Sequence, residues 1–228
     1  MGAVQRGAGV ARDYQPGHRP SAGLDAKKKT LSASERDEAL RETWREQIAG
    51  LDPRRFVFVD ETGSHTALTR LFAWAPRGER AVGSVPRNHG ANRTTITALT
   101  LDGLGPGLLL EGGVTTRAFE VYVERLLAPS LQPGQIVVMD QLRQHHSQRT
   151  RELIEAHGAA LWFLPAYSPD LNPIEEAFSK VKALLRTAAA RTHEALVEAI
   201  WAALAAITPA DALGYITHCG YQAQAQLS

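Results

Sequence analysis

Two short apolar runs that each end in aspartate constrain this chain most. Phe56-Val57-Phe58-Val59 stops at Asp60, and Ile136-Val137-Val138-Met139 stops at Asp140. Such runs, rich in β-branched and aromatic residues, are too short for a helix and too apolar for a strand with one wet face. Each reads as a strand buried on both sides, as in the middle of an α/β sheet. A carboxylate that ends such a strand lies at its carboxyl edge, where open α/β sheets build their sites.

The patterns on either side fill in the architecture. Strands are expected at Phe56–Asp60, Leu71–Ala75, Ala81–Val85, Thr94–Leu101 and Gly107–Glu111, with Asp102-Gly103 as a tight turn. A helix follows over Ala118–Leu127, stopped by Pro129. The order then alternates: strand Ile136–Met139, helix Arg149–His157, strand Ala160–Leu164, helix Pro173–Arg186, then helices near His193–Ile207 and Pro209–Ile216. Early hairpins feeding a strand–helix alternation indicate an α/β fold, a mixed sheet with helices on both faces. Upstream, Ser32 and Glu35 form a capping box for a helix reaching Ile48, whose narrow stripe of Leu40, Trp44 and Ile48 predicts a surface helix. The expected organisation is an irregular tail at residues 1–26, a linker and helix at 27–53, the core at 54–190, and packed carboxyl-terminal helices at 191–228. Trp74 and Trp162, in strand-like runs, are expected in the core.

A third acid completes the pattern. Glu175 sits in Ser168-Pro169-Asp170-Leu171-Asn172-Pro173-Ile174-Glu175, at the start of a helix. The structural reading is strong: Asn172 suits an N-cap, Pro173 the first helical position and Glu175 the third. The functional reading is that Asp60, Asp140 and Glu175, on three rigid elements, clamp hard divalent cations, which take oxygen ligands. Glu176 is the rival ligand. At 100° per residue both acids fall outside the apolar face of Ile174, Phe178, Val181 and Leu185, but Glu175 shares its side with Lys182 and Arg186. Glu61, next to Asp60 on an extended chain, points the other way and reads as a supporting residue.

Val59-Asp60-Glu61-Thr62, Val138-Met139-Asp140 and Tyr167-Ser168-Pro169-Asp170-Leu171-Asn172-Pro173-Ile174-Glu175 together resemble the catalytic domain of DDE transposases, in particular bacterial insertion-sequence transposases of the mariner-like superfamily. Thirty-four residues separate Asp140 from Glu175, the interval typical of one branch. The likeness runs from about Lys27 to about Tyr221. It implies a ribonuclease-H-like fold on a five-stranded mixed sheet, and two Mg²⁺ (or Mn²⁺) ions held by catalytic Asp60, Asp140 and Glu175. It implies cleavage of DNA at element ends, strand transfer by the freed 3′-hydroxyl into target DNA, commonly at TA, and at least a homodimer to pair the ends. Where the family usually has Asn after the second Asp, this chain has Gln141. His145 matches a common family His, and His146 stands where Lys is more usual. No helix-turn-helix is visible, so the chain looks like a catalytic-domain product, a downstream reading frame or a truncated copy.

Composition narrows the classes. The chain has 228 residues, 44% of them hydrophobic, and a net charge of only +1. No apolar stretch reaches the ~20 residues of a membrane span, and no signal peptide opens the chain, so a cytoplasmic protein is expected. Cys219 is alone, which excludes an internal disulfide and a Cys-based zinc site. His65, His145 and His146 lack the spacing of a zinc site. Lys27-Lys28-Lys29, Arg143, Arg149 and Arg151 are basic, and His145, Lys180, Lys182 and Arg186 are the candidate DNA contacts beside the acids. Neither an acyl-hydrolase elbow nor a nucleotide-cradling loop is present. A plain metal-dependent nuclease, an inactive remnant that binds DNA or dimerises, and a purely structural protein remain open.

Overall fold

Both Asp-terminated runs lie side by side in the middle of one sheet. The computed structural model describes residues 33–70 and 72–222. Its strands are β1 (Phe56–Ser64), β2 (Arg93–Thr100), β3 (Gly103–Leu104), β4 (Leu108–Glu111), β5 (Ile136–Met139) and β6 (Ala160–Phe163). They run in the order β3-β2-β1-β5-β6, with β4 also on β2. β1 and β5 pair in parallel, Phe56 opposite Ile136 and Phe58 opposite Val138. β5 and β6 are parallel too, whereas β1 and β2 are antiparallel.

The sheet is nevertheless five strands wide, because β3 and β4 are one strand broken by a bulge. Leu99 faces Leu104 and Ile96 faces Leu108, so Thr97 and Ala98 oppose three residues, Gly105-Pro106-Gly107. Pro106 has no N–H for the ladder, and an extra residue there is a normal solution. The Gly105 N–H donates to the Ala98 carbonyl at 2.7 Å, closing the gap.

Helices are α1 (Glu38–Ile48), α2 (Thr116–Tyr122), α3 (Gln148–Glu155), α4 (Pro173–Ala188), α5 (His193–Ala205) and α6 (Pro209–His218). Beyond α2 the chain widens into a π-helical segment, Val123–Leu127. Two apolar layers sandwich the sheet. Alternation along β1 sends Phe56 and Phe58 to the layer that holds α4, α5 and α6, and Val57 and Val59 to the layer that holds α2 and α3. β5 divides likewise, with Ile136 and Val138 against Val137 and Met139. Among the described residues no single helix is long and apolar enough to cross a membrane.

Three expectations need correction. The runs at Leu71–Ala75 and Ala81–Val85 are not strands: Leu71 lies outside the described residues, and 72–92 contains no strand. β1 is flanked by β2 and β5, and β2 by β1 and β3–β4, so the segment joining β1 to β2 finds no free edge on either strand it connects. Trp74 is consequently fully exposed rather than core, together with Phe72 and Val82. Trp162 does pack on the core, edge-on to Trp44 and Phe56. In α1 the buried stripe is Arg41, Trp44 and Ile48, while Leu40 is 57% exposed. The helix is capped by Asp37, whose carboxylate accepts from the Ala39 and Leu40 N–H groups at 2.9 and 3.1 Å. The expected cap Ser32, the tail at 1–26 and Lys27–Lys29 lie outside the described residues.

Candidate active site

The alternation that builds the two layers also aims the acids. Asp60 shares the parity of Phe56 and Phe58 and turns toward α4, whereas Glu61 turns toward α2. Asp140, just past β5, has the parity of Ile136 and Val138. Glu175 comes from the first turn of α4. All three line one cavity of about 370 Å³, with Gln141, Tyr167 and Asn172. Tyr167, on its rim, is half-exposed and holds a φ of 56°, a conformation that costs a non-glycine residue about 1–3 kcal/mol and is concentrated at functional sites.

Asp60 is only 6% exposed. Its Oδ1 accepts the Glu61 N–H at 2.7 Å and its Oδ2 accepts the Asn172 Nδ2 at 2.9 Å. Burial, reinforced by the charges of Asp140, Glu175 and Glu61, pushes its carboxyl up to about 7. Asn172 therefore does not act as the expected cap: its side chain makes no capping bond, its amide holds Asp60, and its own Oδ1 is buried without a partner. Glu175 does not cap either. Its carboxylate is exposed and makes no hydrogen bond or ion pair among the described residues. Glu176, the rival, is bound to His218.

Asp140 is steadied from the other layer. Its Oδ1 accepts the Leu142 N–H at 3.0 Å and pairs with His145 Nδ1 at 2.7 Å. His145 Nε2 lies 3.1 Å from Glu61 Oε2, and Gln144 donates to Glu61 Oε1 at 2.6 Å. Burial opposes a charged His145, but its contacts with Asp140 and Glu61 prevail and raise it to about 9. This corrects the expectation that His145 contacts DNA. The ring is fully buried against Phe119, out of reach of a phosphate. Gln141 spends its longer side chain on the Leu164 carbonyl, 2.9 Å away at the end of β6.

Elements outside the central sheet hold the segment that carries Asn172 and Glu175. Arg41, fully buried, grips Asp170 with two bonds of 3.0 and 2.6 Å. Tyr221 donates to the Leu171 carbonyl at 2.8 Å and accepts from Trp44 Nε1 at 3.2 Å. Sequence reading missed these anchors, which lie 177 residues apart in the case of Trp44 and Tyr221. The only local signal was the run Asp170-Leu171-Asn172 itself.

The candidate DNA cations separate by partner. Lys180 pairs with Asp211 at 2.6 Å, the residue that closes the capping box of α6. Arg149 and Arg151 pair with Glu124 and Glu155. Lys182, Arg186 and Arg143 have no ion pair among the described residues. Arg186 lines a second hollow with Arg70 and Phe72.

Residues 55–197, more than half of the chain and all three acids among them, match the DDE superfamily endonuclease family. The chain belongs to this family. No curated protein matches it. Among solved structures, this DDE endonuclease is similar to the Mos1 transposase paired-end complex with left transposon end, at a TM-score of 0.67 and 18% identity over 87% of this chain and 64% of that one. The mariner Mos1 paired end complex with Mg gives 0.66 and 16%, covering 87% and 65%. The Mos1 catalytic domain with Raltegravir and Mg gives 0.55 and 16%, covering 80% and 85%. At such identity the likeness is one of fold, the ribonuclease-H-like α/β fold expected. The chain spans about 64% of the length of the paired-end transposase it matches.

Proposed function

We propose that this DDE endonuclease is the catalytic domain of a transposase. It cuts DNA at the ends of a mobile element and transfers the freed 3′-hydroxyl to target DNA, with Asp60, Asp140 and Glu175 holding two divalent ions, Mg²⁺ or Mn²⁺. The observation that carries this reading is the convergence of three carboxylates on one cavity, with Asp60 raised by its burial and further by the charges of the other two. An all-oxygen donor set crowded with negative charge suits a hard cation. When bound, the ions activate water and offset charge on the departing oxygen.

The residues themselves supply positioning. Asn172 and the Glu61 N–H fix both oxygens of Asp60. His145 and the Leu142 N–H orient Asp140, and Glu61 with Gln144 holds the imidazole. Glu175, free of protein partners among the described residues, is available to a ligand. Lys182 and Arg186, on the side of α4 that also presents Glu175, add phosphate affinity without sequence preference. The solved Mos1 complexes hold transposon ends, and related ones hold Mg or Mn, which supports the same substrate and ions here. Pairing two element ends requires at least two copies.

The test is Mg²⁺-dependent nicking and joining of a labelled duplex that carries the inverted repeats flanking the coding region. Asp140→Asn and Glu175→Gln should each reduce nicking at least about 100-fold, on the order of 3 kcal/mol in the barrier. Glu176→Gln should cost far less. Wild-type nicking by Asp140→Asn would overturn the site. Nicks without any joined product would leave a plain nuclease.

A further inference from the structure

We propose that Glu176, His218 and Cys219 form a second metal site, for one Zn²⁺ ion, that pins the end of α6 to the first turn of α4. His218 ends α6, Cys219 caps it, and Glu176 is one residue from Glu175. Glu176 Oε1, His218 Nδ1 and Cys219 Sγ all lie within 4.8 Å of one another. The Sγ–Oε1 separation is 3.9 Å, and His218 Nδ1 already touches the same carboxylate oxygen. Zinc bonds of about 2.0–2.3 Å place tetrahedral donors roughly 3.4–3.7 Å apart. The three atoms therefore need adjust by only about an ångström around an ion, and the exposed His218 ring is free to do so.

The donor set differs in kind from the catalytic one. Thiolate, imidazole and carboxylate together select a borderline-soft ion, and three protein ligands leave a fourth position for water. Cys219 is buried, and the only hydrogen-bond contact of its thiol among the described residues is the carboxylate of Glu176. A cation at the sulfur stabilises the thiolate form that binds it. On binding, the Cys219 S–H gives its proton to solvent and a sulfur–zinc bond forms, with no change of oxidation state. The last carbonyls of α6 add negative potential on the same side. A single cysteine rules out only the cysteine-rich zinc sites; the mixed set is assembled by the approach of α6 to α4, which a residue count does not reveal.

Co²⁺ titration of the full chain in excess Mg²⁺ tests this, because only a sulfur ligand gives a thiolate-to-cobalt charge-transfer band. One equivalent of Co²⁺ should produce the band, and Zn²⁺ should abolish it by displacement. Cys219→Ser should remove it, and His218→Gln and Glu176→Gln should each weaken Co²⁺ binding about tenfold or more. Zn²⁺ should raise the melting temperature of the wild type but not of Cys219→Ser. Absence of the band, or its survival in Cys219→Ser, overturns the proposal. If Cys219→Ser does not fold, the exposed position His218 decides, and unchanged Co²⁺ affinity in His218→Gln overturns it equally. An Asp60→Asn/Asp140→Asn double variant should keep the band, so this site and the catalytic reading fail separately.

Discussion

Asp60 shows how one residue is set against the stability of its own fold. Its carboxyl is raised from near 4 to about 7, so the folded state holds the proton more tightly than the unfolded chain. The sign follows from linkage: a group whose folded pKa is raised destabilises the fold as pH climbs from about 4, with the full penalty in place above about 7. Three units correspond to at most about 4 kcal/mol. Asp60→Asn should accordingly raise the melting temperature of the metal-free chain at pH 8, and have little effect near pH 4. The substitution is also easily housed. If the Asn172 amide turns over, its unpartnered Oδ1 accepts from the new amide at position 60. Cleavage should be lost at the same time, since the ligand charge is gone. Thermal unfolding of both proteins at the two pH values is the check, and equal melting temperatures at pH 8 would remove the claim that burial and neighbouring charge destabilise the ionised Asp60.

At the scale of elements, the segment from Ser168 to Glu175 is positioned by parts of the chain far from it. Tyr221→Phe keeps the ring stacked edge-on against Phe56 and Phe58 but removes the hydroxyl that links Trp44 to the Leu171 carbonyl. Two buried groups lose their partner, at about 1–3 kcal/mol each. The expected outcome is a chain that still folds, a higher Mg²⁺ requirement and slower nicking, with partial recovery at high Mg²⁺. A Mg²⁺ titration of nicking rate measures this, and a stability loss with an unchanged Mg²⁺ curve would show that Tyr221 supports the fold alone. These anchors also mark the limit of what was legible. Phe56–Asp60 and Ile136–Asp140 could be read because burial on both faces leaves a local imprint, and parity then gave Glu61 its opposite direction. Trp74 misled because its β-forming neighbourhood is local too, whereas the free strand edge it would need is a property of the whole sheet. Asn172 misled for the converse reason: the N-cap position and the partner of Asp60 are filled by the same residue type, and only the approach of α4 to β1 chooses between them.

For the whole molecule, net charge is close to neutral, so DNA affinity must come from where the cations stand. Lys182 and Arg186, without ion pairs among the described residues, should each contribute about one unit to the slope of log affinity against log salt when replaced by Ala. Lys180→Ala should instead loosen α6, because its ammonium holds Asp211. Binding isotherms at several salt concentrations separate the two outcomes, and an undiminished slope in Lys182→Ala and Arg186→Ala would place the DNA on another face.

The segment between β1 and β2 carries the last prediction. Phe72, Trp74 and Val82 are 90%, 103% and 92% exposed, in a stretch that also bears Arg77 and Arg80. Aromatic surface left in water on this scale marks an interaction site. The proposed reaction requires a second copy of the chain, and this surface is the expected contact with it. Replacing Phe72 and Trp74 with Ser removes no core contact, so stability should change by no more than about 0.5 kcal/mol. Nicking of a single end should persist, because neither Phe72 nor Trp74 lines the cavity that holds the acids. Joining should fall sharply, since it depends on two ends held together. Sedimentation of the chain with end duplex, run beside the nicking and joining assay, distinguishes the cases. If the Ser variant sediments and joins as the wild type does, the exposed segment is not the contact between copies.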